Sequence, residues 1–268
     1  NYTLTQSGAL NLNAGSIARF ALGDAASNLV LSGGVVLNGI ASFGVNSGDA
    51  DSLVTISGIG ISGTGTLNIN DEAGVWTTTS TRLAINAAST FIGDTTLTEG
   101  FLILGHKDAL SAGSLTILGA STLEASTNLS ASGSGPVPNA VILASTLTVS
   151  LSNDLSLSGI LSGSGALTKT GSGTLSLNAS NPNFSGAISL ETISGANRGV
   201  IVANASNALG TGAVRAAFIS GATGAQVQLN NGITLANAFT TTGAGAAGGL
   251  SGIIRSVTGA NVLTGNVI

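Results

Sequence analysis

Apolar and polar residues alternate in short runs along most of the chain. In residues 8–13, 65–70 and 173–178, Leu or Ile alternates with Ser, Thr or Asn. Alternation with a period of two is typical of a β-strand with one buried face. Gly, Asn or Ser bounds nearly every run, as expected for turns. We find no apolar series at helical spacing, so the pattern predicts an all-β protein without substantial helix.

The strand-like runs are organised into longer repeats. Residues 90–97 (TFIGDTTL) and 183–190 (NFSGAISL) share an aromatic-x-Gly motif, and residues 108–115 and 207–214 share an Ala-Leu motif that closes each repeat. A third start lies at residues 261–268. Strands that recur every ~10–12 residues fit a sandwich, a barrel or a solenoid, but similar stacked units favour a solenoid. We predict a right-handed parallel β-helix of roughly ten rungs, with ~20–30 residues in each coil.

The whole chain, residues 1–268, is predicted to form a single continuous β-solenoid segment that belongs to a longer chain or to a stacked fibre. The clearest interruption of the pattern is residues 131–140, where Pro136 and Pro138 lie among Gly and Ser residues. Pro cannot donate a hydrogen bond to a strand ladder. We therefore predict that residues 131–140 form a loop that projects from the coil.

Composition narrows the functional classes. Charged residues make up 7% of the chain, and the formal net charge is −4. The Lys and Arg residues are scattered singly, without the basic patch that nucleic-acid binding requires, so we expect no nucleic-acid partner. Cys is absent, which excludes disulfides and thiolate metal sites. The apolar runs are too short for a transmembrane helix, so we expect no membrane insertion by this segment.

The most specific motif lies in residues 161–214. It consists of Leu-Thr-Lys at 167–169, Gly171, Gly-Thr-Leu at 173–175, Phe-Ser-Gly at 184–186 and Ala-Leu-Gly-Thr-Gly at 208–212. This order resembles the passenger-associated strand repeat of bacterial autotransporters. A degenerate copy spans residues 56–117, and residues 255–261 resemble the lead-in to another copy. The resemblance implies a secreted or surface-exposed parallel β-helix, and it implies no particular ligand.

Three polar turns are the candidates for chemistry. Residues 106–108 gather the single His with a Lys and an Asp, Asp49 and Asp51 have the spacing of calcium ligands, and residues 71–72 (Asp-Glu) lie close to Trp76. None supplies the further ligands or the nucleophile with an oriented carboxylate that such sites need. We interpret the first two as plain polar turns and Trp76 as a loop anchor. The sequence thus predicts no catalytic, metal-binding or cofactor-binding residue, no cofactor and no enzymatic activity.

The pattern and the resemblance together predict a structural role as a stalk, fibre or adhesin shaft, located outside the cell or on the surface of a bacterium. The expected partners are neighbouring repeats or copies of the chain stacked end to end, since open strand edges pair readily. Host or cell-surface glycans are a further expected partner. The alternative is a polysaccharide-binding or polysaccharide-degrading β-helix protein, although the thinly spread acids are unfavourable for glycoside hydrolysis.

Overall fold

A computed structural model describes residues 2–22, 27–47, 52–69, 82–191, 199–217, 225–242 and 252–268. The regular structure in these ranges is entirely β-strand, with no helix, which confirms the predicted all-β class. The chain divides into two compact units, Asn1–Thr127 (unit 1) and Asn128–Ile268 (unit 2). Each unit is described separately below. The single continuous segment over residues 1–268 stays a prediction.

Unit 1 contains fourteen strands in the described residues. They are β1 (Tyr2–Gln6), β2 (Leu10–Asn13), β3 (Ile17–Leu22), β4 (Ser27–Leu31), β5 (Val35–Asn38), β6 (Ala41–Ser47), β7 (Leu53–Ile56), β8 (Ile61–Gly63), β9 (Leu67–Ile69), β10 (Arg82–Ile85), β11 (Thr95–Leu97), β12 (Gly100–Leu104), β13 (Leu115–Ile117) and β14 (Ser121–Ala125).

Unit 2 also contains fourteen strands in its described residues. They are β15 (Val141–Leu143), β16 (Leu147–Ser150), β17 (Leu155–Leu157), β18 (Leu161–Gly163), β19 (Leu167–Thr170), β20 (Thr174–Leu177), β21 (Ile188–Leu190), β22 (Val200–Ala203), β23 (Val214–Ala217), β24 (Gln226–Leu229), β25 (Thr234–Leu235), β26 (Phe239–Thr242), β27 (Ile254–Ser256) and β28 (Val262–Leu263).

Each sheet is built from strands of successive coils. In unit 1 the sheet orders are β1-β4-β7-β10-β12-β14, β3-β6-β9-β11-β13 and β2-β5-β8. In unit 2 they are β16-β19-β21-β23-β26, β17-β20-β22-β24-β27, β15-β18 and β25-β28. The pairs within these sheets are parallel. This arrangement is a parallel β-helix, and six stacked strands in unit 1 with five in unit 2 agree roughly with the predicted ten rungs.

The length of a coil follows from the register. Paired residues lie between 19 positions (Leu83 to Leu102, 102 − 83) and 29 positions apart (Val54 to Leu83, 83 − 54). This range agrees with the coil length predicted from the sequence. Coils of unequal length can stack because the extra residues leave the coil in its turns, while the strands keep their register.

The core of each unit is a set of columns in which apolar residues stack on like residues. In unit 1, Leu102 pairs with Leu83 on one side and with Leu123 on the other, and all three are buried. In unit 2, Leu155 and Leu175 form a comparable buried column. In β20 the outward residues beside this column, Thr174 and Ser176, are polar, as the alternation in the sequence predicts, whereas β12 has Phe101 and Ile103 at the alternate positions. Burial of each Leu side chain stabilises the coil by about 1.5–3 kcal/mol.

A column of glycines lies at one corner of unit 1. A Cβ atom on Gly65 would lie 1.9 Å from the carbonyl oxygen of Gly39, one on Gly93 would lie 2.4 Å from that of Gly65, and one on Gly113 would lie 2.2 Å from that of Gly93. Real Cβ atoms essentially never come closer than 3.0 Å to such neighbours. Each coil therefore needs Gly here because its backbone packs directly on the backbone of the coil before it.

Unit 2 has the same feature. A Cβ atom on Gly186 would lie 1.9 Å from the carbonyl oxygen of Gly165, and one on Gly212 would lie 2.1 Å from that of Gly186. Asn237 stands at the next level, where its side-chain amide donates to the carbonyl oxygen of Gly212 at 2.7 Å. Gly265 follows, since its Cβ would lie 2.0 Å from the carbonyl oxygen of Asn237. The aromatic-x-Gly motif thus marks a corner of the coil.

The repeated Ala-Leu motif also has one structural meaning in both units. Ala109 and Leu110 are buried in unit 1, and Ala208 and Leu209 are buried in unit 2. Each pair lies in a tight turn, closed by a hydrogen bond from Ala109 N to His106 O (3.1 Å) or from Ala208 N to Ala205 O (3.0 Å). The turn therefore inserts a small and a large apolar side chain into the core of the coil.

Candidate functional site

The His-Lys-Asp turn at residues 106–108 is partly exposed, and the polar contacts of its side chains are local. The backbone N–H of Asp108 donates to His106 Nδ1 at 3.1 Å, and Lys107 Nζ lies 2.6 Å from Asp108 Oδ2. The His106 Nδ1 atom is 3.8 Å from the same carboxylate oxygen. The equivalent turn in unit 2, residues 205–209, has no charged residue. The fold of this turn therefore does not depend on the side chains of His106, Lys107 and Asp108.

The other two candidate turns lie outside the described residues. Asp49 and Asp51 fall in residues 48–51, and Trp76 with its acidic neighbours falls in residues 70–81. Their interpretation as polar turns and a loop anchor stays a prediction.

The predicted loop at residues 131–140 is partly exposed and partly anchored. Leu129 pairs with Leu155, and Val137 pairs with Leu157, so both flanks of the loop lie beside β17 and are buried. Residues 130–136 between these two bridges leave the sheet and fold into a turn closed by hydrogen bonds from Gly133 N and Gly135 N to Ser130 O, both 3.0 Å. Residues 131–134 are exposed. Within the predicted loop, Val137 and Asn139 are buried, and the projection of residues 131–140 stays a prediction.

This loop forms one wall of a polar cleft in unit 2. The cleft has a volume of 330 Å³ and its wall is Ser130, Ala131 and Ser132. The remaining lining residues lie at β17, at β20 and just after β22: Asp154, Ser156, Thr174, Ser176, Asn178 and Asn204. We refer to these nine residues as the polar cleft. Side-chain hydroxyls and amides dominate it, and the carboxylate of Asp154 is its one ionisable group among the described residues.

An axial ladder of side-chain hydrogen bonds begins in the polar cleft and crosses five coils. Asn178 Nδ2 donates to Ser156 Oγ at 2.8 Å, Asn204 Nδ2 donates to Asn178 Oδ1 at 2.7 Å, and Asn230 Nδ2 donates to Asn204 Oδ1 at 2.9 Å. Thr258 Oγ1 donates to Asn230 Oδ1 at 3.5 Å. The ladder is possible because Asn recurs at the same position of successive coils, immediately after a strand.

Two hydrogen bonds, each donated by a backbone N–H group, hold Asp154 at the edge of the cleft. Its N–H donates to Asn128 Oδ1 at 3.0 Å, and its own Oδ1 accepts the N–H of Thr174 at 2.8 Å. Asp94 in unit 1 has the same role, since its Oδ1 accepts the N–H of Ser114 at 2.8 Å. An acidic side chain at this position thus caps the turn that enters the next coil.

Lys169 is the most unusual charged residue in the described structure. It occupies an inward position of β19 and has no exposed surface, and its ammonium donates to the carbonyl oxygens of Thr170 and of Gly171, the latter at 3.2 Å. Burial lowers the pKa of Lys169 to about 8, and the nearby carboxylate of Asp154 opposes this shift. The buried cation therefore interacts with the carboxylate at the edge of the cleft.

Sequence reasoning missed both the polar cleft and the burial of Lys169. The second had a detectable signal, because Lys169 is two residues after Leu167 and so shares its inward face in an alternating strand. The polar cleft had no such signal in the sequence, since it forms only when the loop at residues 130–136 folds beside β17.

The described residues contain no group of three or more His, Asp or Glu side chains that could hold a metal ion. They also contain no helix of the length and apolar character needed to cross a membrane. Comparison with protein-family models, with curated proteins and with solved structures finds no match to this chain.

Proposed function

We propose that this chain is a structural element of a bacterial protein outside the cell or on its surface, serving as a stalk, fibre or adhesin shaft without catalysis. The observation that carries this proposal is the axial ladder of Ser156, Asn178, Asn204, Asn230 and Thr258, which links five consecutive coils. Such a ladder resists sliding of one coil over the next, as a load-bearing element requires, and it presents no reactive group.

The chemistry of the ladder also suits an extracellular environment. Its members are hydroxyls and amides, which do not titrate over the usual pH range and carry no charge that salt could screen. Only 7% of the residues in the whole chain are charged. The cohesion between coils should therefore change little with pH or ionic strength, apart from the contribution of Lys169.

The resemblance to the passenger-associated strand repeat supports the proposed location and bacterial source. The glycine corners and the Ala-Leu turns give its two most specific motifs a purely structural role in this chain. Under this proposal the partners of the chain are its neighbouring repeats or further copies stacked end to end, together with host or cell-surface glycans.

The proposal can be tested on the bacterium that makes the chain. Intact cells would be labelled with gold-conjugated antibodies raised against the purified chain and viewed by electron microscopy. We expect gold particles along extended surface structures or on secreted fibres, and an axial repeat in such fibres would indicate end-to-end stacking. Labelling that appears only after the cells are permeabilised would refute the proposed location.

The alternative function, a polysaccharide-degrading enzyme, has a separate test. The purified chain would be incubated with acidic and neutral polysaccharides, and the release of new reducing ends would be measured. We expect none, because glycoside hydrolysis needs two carboxyl groups at a defined separation. Turnover that is lost on changing a described acidic residue would favour the enzyme. The binding form of this alternative is supported by the polar cleft.

A further inference from the structure

We propose that the polar cleft of unit 2 binds a short segment of a neutral polysaccharide. This inference rests on the glycan partner of the proposed function and gives it a site, whereas the shaft role itself needs no ligand. It rests on the balance of charge in the cleft, on its unused hydrogen-bonding groups and on their spacing along the coil axis.

The charge of the cleft is balanced by the protein itself. Asp154 supplies a carboxylate at the edge of the cleft, and the fully buried ammonium of Lys169 lies close enough to it for the two charges to interact. A carboxylate that interacts with a buried cation attracts an external cation less strongly than an isolated carboxylate does, because the field of the buried cation opposes its own. It still accepts hydrogen bonds, so the site favours an uncharged ligand that carries hydroxyl groups over a metal ion or an amine.

Several groups in the cleft keep hydrogen-bonding capacity. The structure gives the hydroxyls of Thr174 and Ser176 no partner among the described residues, and Asp154 uses Oδ1 but not Oδ2 in its bond to Thr174 N. In the ladder, Asn178 and Asn204 each use one N–H and one acceptor site of their amide, which leaves one of each for a ligand. A carboxylate, two amides and two hydroxyls can serve the donors and acceptors of adjacent sugar hydroxyls.

The spacing of these groups matches a polymer. Ser156 and Ser176 are paired in register on neighbouring coils, and Asn178 and Asn204 continue the polar surface along the axis. Neighbouring parallel strands lie about 4.8 Å apart, which is close to the length of one pyranose unit. The volume of 330 Å³ is near the lower limit for a ligand cleft, so it suits a segment of one or two sugar units. We expect weak binding, because none of the described residues that line the cleft is aromatic.

The test uses the full chain and a panel of neutral trisaccharides: cellotriose, laminaritriose, mannotriose and tri-N-acetylchitotriose. Binding would be measured by saturation-transfer difference NMR and titrated to a dissociation constant. We expect saturable, millimolar binding of at least one member. Because the ligand is neutral, the dissociation constant should be unchanged between low and high salt, whereas a steep loss of affinity in salt would overturn the neutral class.

Two matched variants locate the site. Ser176→Arg places a long side chain in the cleft from an outward, half-buried position of β20, and should weaken binding at least tenfold. Thr148→Arg makes the same kind of change at an outward, half-buried position of β16, away from the cleft lining, and should leave binding unchanged. Circular dichroism would verify that both variants fold. The proposal is overturned if no trisaccharide binds, if Ser176→Arg binds as the wild type does, or if both variants lose binding equally.

Discussion

Replacement of Gly113 by Ala should destabilise the coil stack of unit 1. The new Cβ would lie 2.2 Å from the carbonyl oxygen of Gly93, whereas ordinary contact begins at 3.4 Å, so the two coils would have to separate by up to 1.2 Å (3.4 − 2.2). Gly113 does not have the left-handed conformation that would disfavour Ala for another reason. The expected effect is therefore steric alone.

The size of the effect follows from the neighbouring contacts. A forced overlap in a packed region costs about 1–3 kcal/mol. Separation of the coils would also stretch two hydrogen bonds next to the corner, from Thr95 N to Ser114 O (2.8 Å) and from Ser114 N to Asp94 Oδ1 (2.8 Å). Each is worth about 1 kcal/mol. We expect Gly113→Ala to lower the free energy of unfolding by about 3–5 kcal/mol, which is a large part of the total for a typical domain.

Gly8→Ala is the matched control in the same unit. No atom lies within 4 Å of the Cβ that it would introduce, and Gly8 does not have a left-handed φ. Ala at such a position restricts the unfolded chain and should be neutral or stabilising by up to about 1 kcal/mol.

Urea denaturation of both variants gives the comparison, and hydrogen exchange locates the change, because repeat proteins can unfold in parts. We expect faster exchange of the β11 and β13 amides in Gly113→Ala alone. Unchanged stability of Gly113→Ala, or an equal loss in Gly8→Ala, would refute the argument from backbone contact.

Three further changes test the interior and the ladder. Between pH 8 and its ordinary pKa of 10.5, Lys169 binds fewer protons in the folded chain than in the unfolded chain. The free energy of unfolding of the wild type should therefore rise by about 3 kcal/mol across this window. Urea denaturation at pH 7 and pH 10.5 should show no such rise for Lys169→Met, and an equal rise in both proteins would contradict the assignment. Asn204→Ala removes two hydrogen bonds of the ladder and should lower the free energy of unfolding by about 1–3 kcal/mol. Asn183→Ala is the control, since its side chain is exposed, and it should change the free energy of unfolding by less than about 0.5 kcal/mol. Equal losses in the two variants would argue against the ladder. Thr95→Val should raise the thermal unfolding temperature, because the Thr95 hydroxyl is buried without a partner between Leu67 and Leu115; a lower unfolding temperature would show that the hydroxyl is satisfied.

Much of the fold could be predicted from local patterns. The alternation in residues 173–178 corresponds to β20, with Leu175 and Leu177 buried and Thr174 and Ser176 facing outward. The repeated motifs predicted stacked units, and the structure places Phe91 and Phe184 in the two cores and Gly93 and Gly186 at the corners. These predictions succeeded because strand pairing in a solenoid is between successive coils, so one repeat largely determines the environment of the next.

The candidate site could not be predicted in the same way. His106 was a candidate because it is the single His and lies beside a Lys and an Asp in sequence, yet its contacts stay within its own turn. The polar cleft instead uses Ser and Asn residues that are individually unremarkable among many others in this chain. Their grouping arises because the turn at residues 130–136 folds beside residues that lie one, two and three coils further along.

The sequence by itself determined the all-β class, the coil length and the division of each strand into inward and outward residues, because these depend on a period of two and on turns near each strand. The tertiary structure decided what the stacking of coils brings together. It aligned Asn178, Asn204 and Asn230 into a ladder, buried the ammonium of Lys169 where it interacts with Asp154, and formed a cleft between a loop and a sheet. The physical reason is that neighbours along the axis are 19–29 residues apart in the chain, a separation at which contacts are set by the register of the coils.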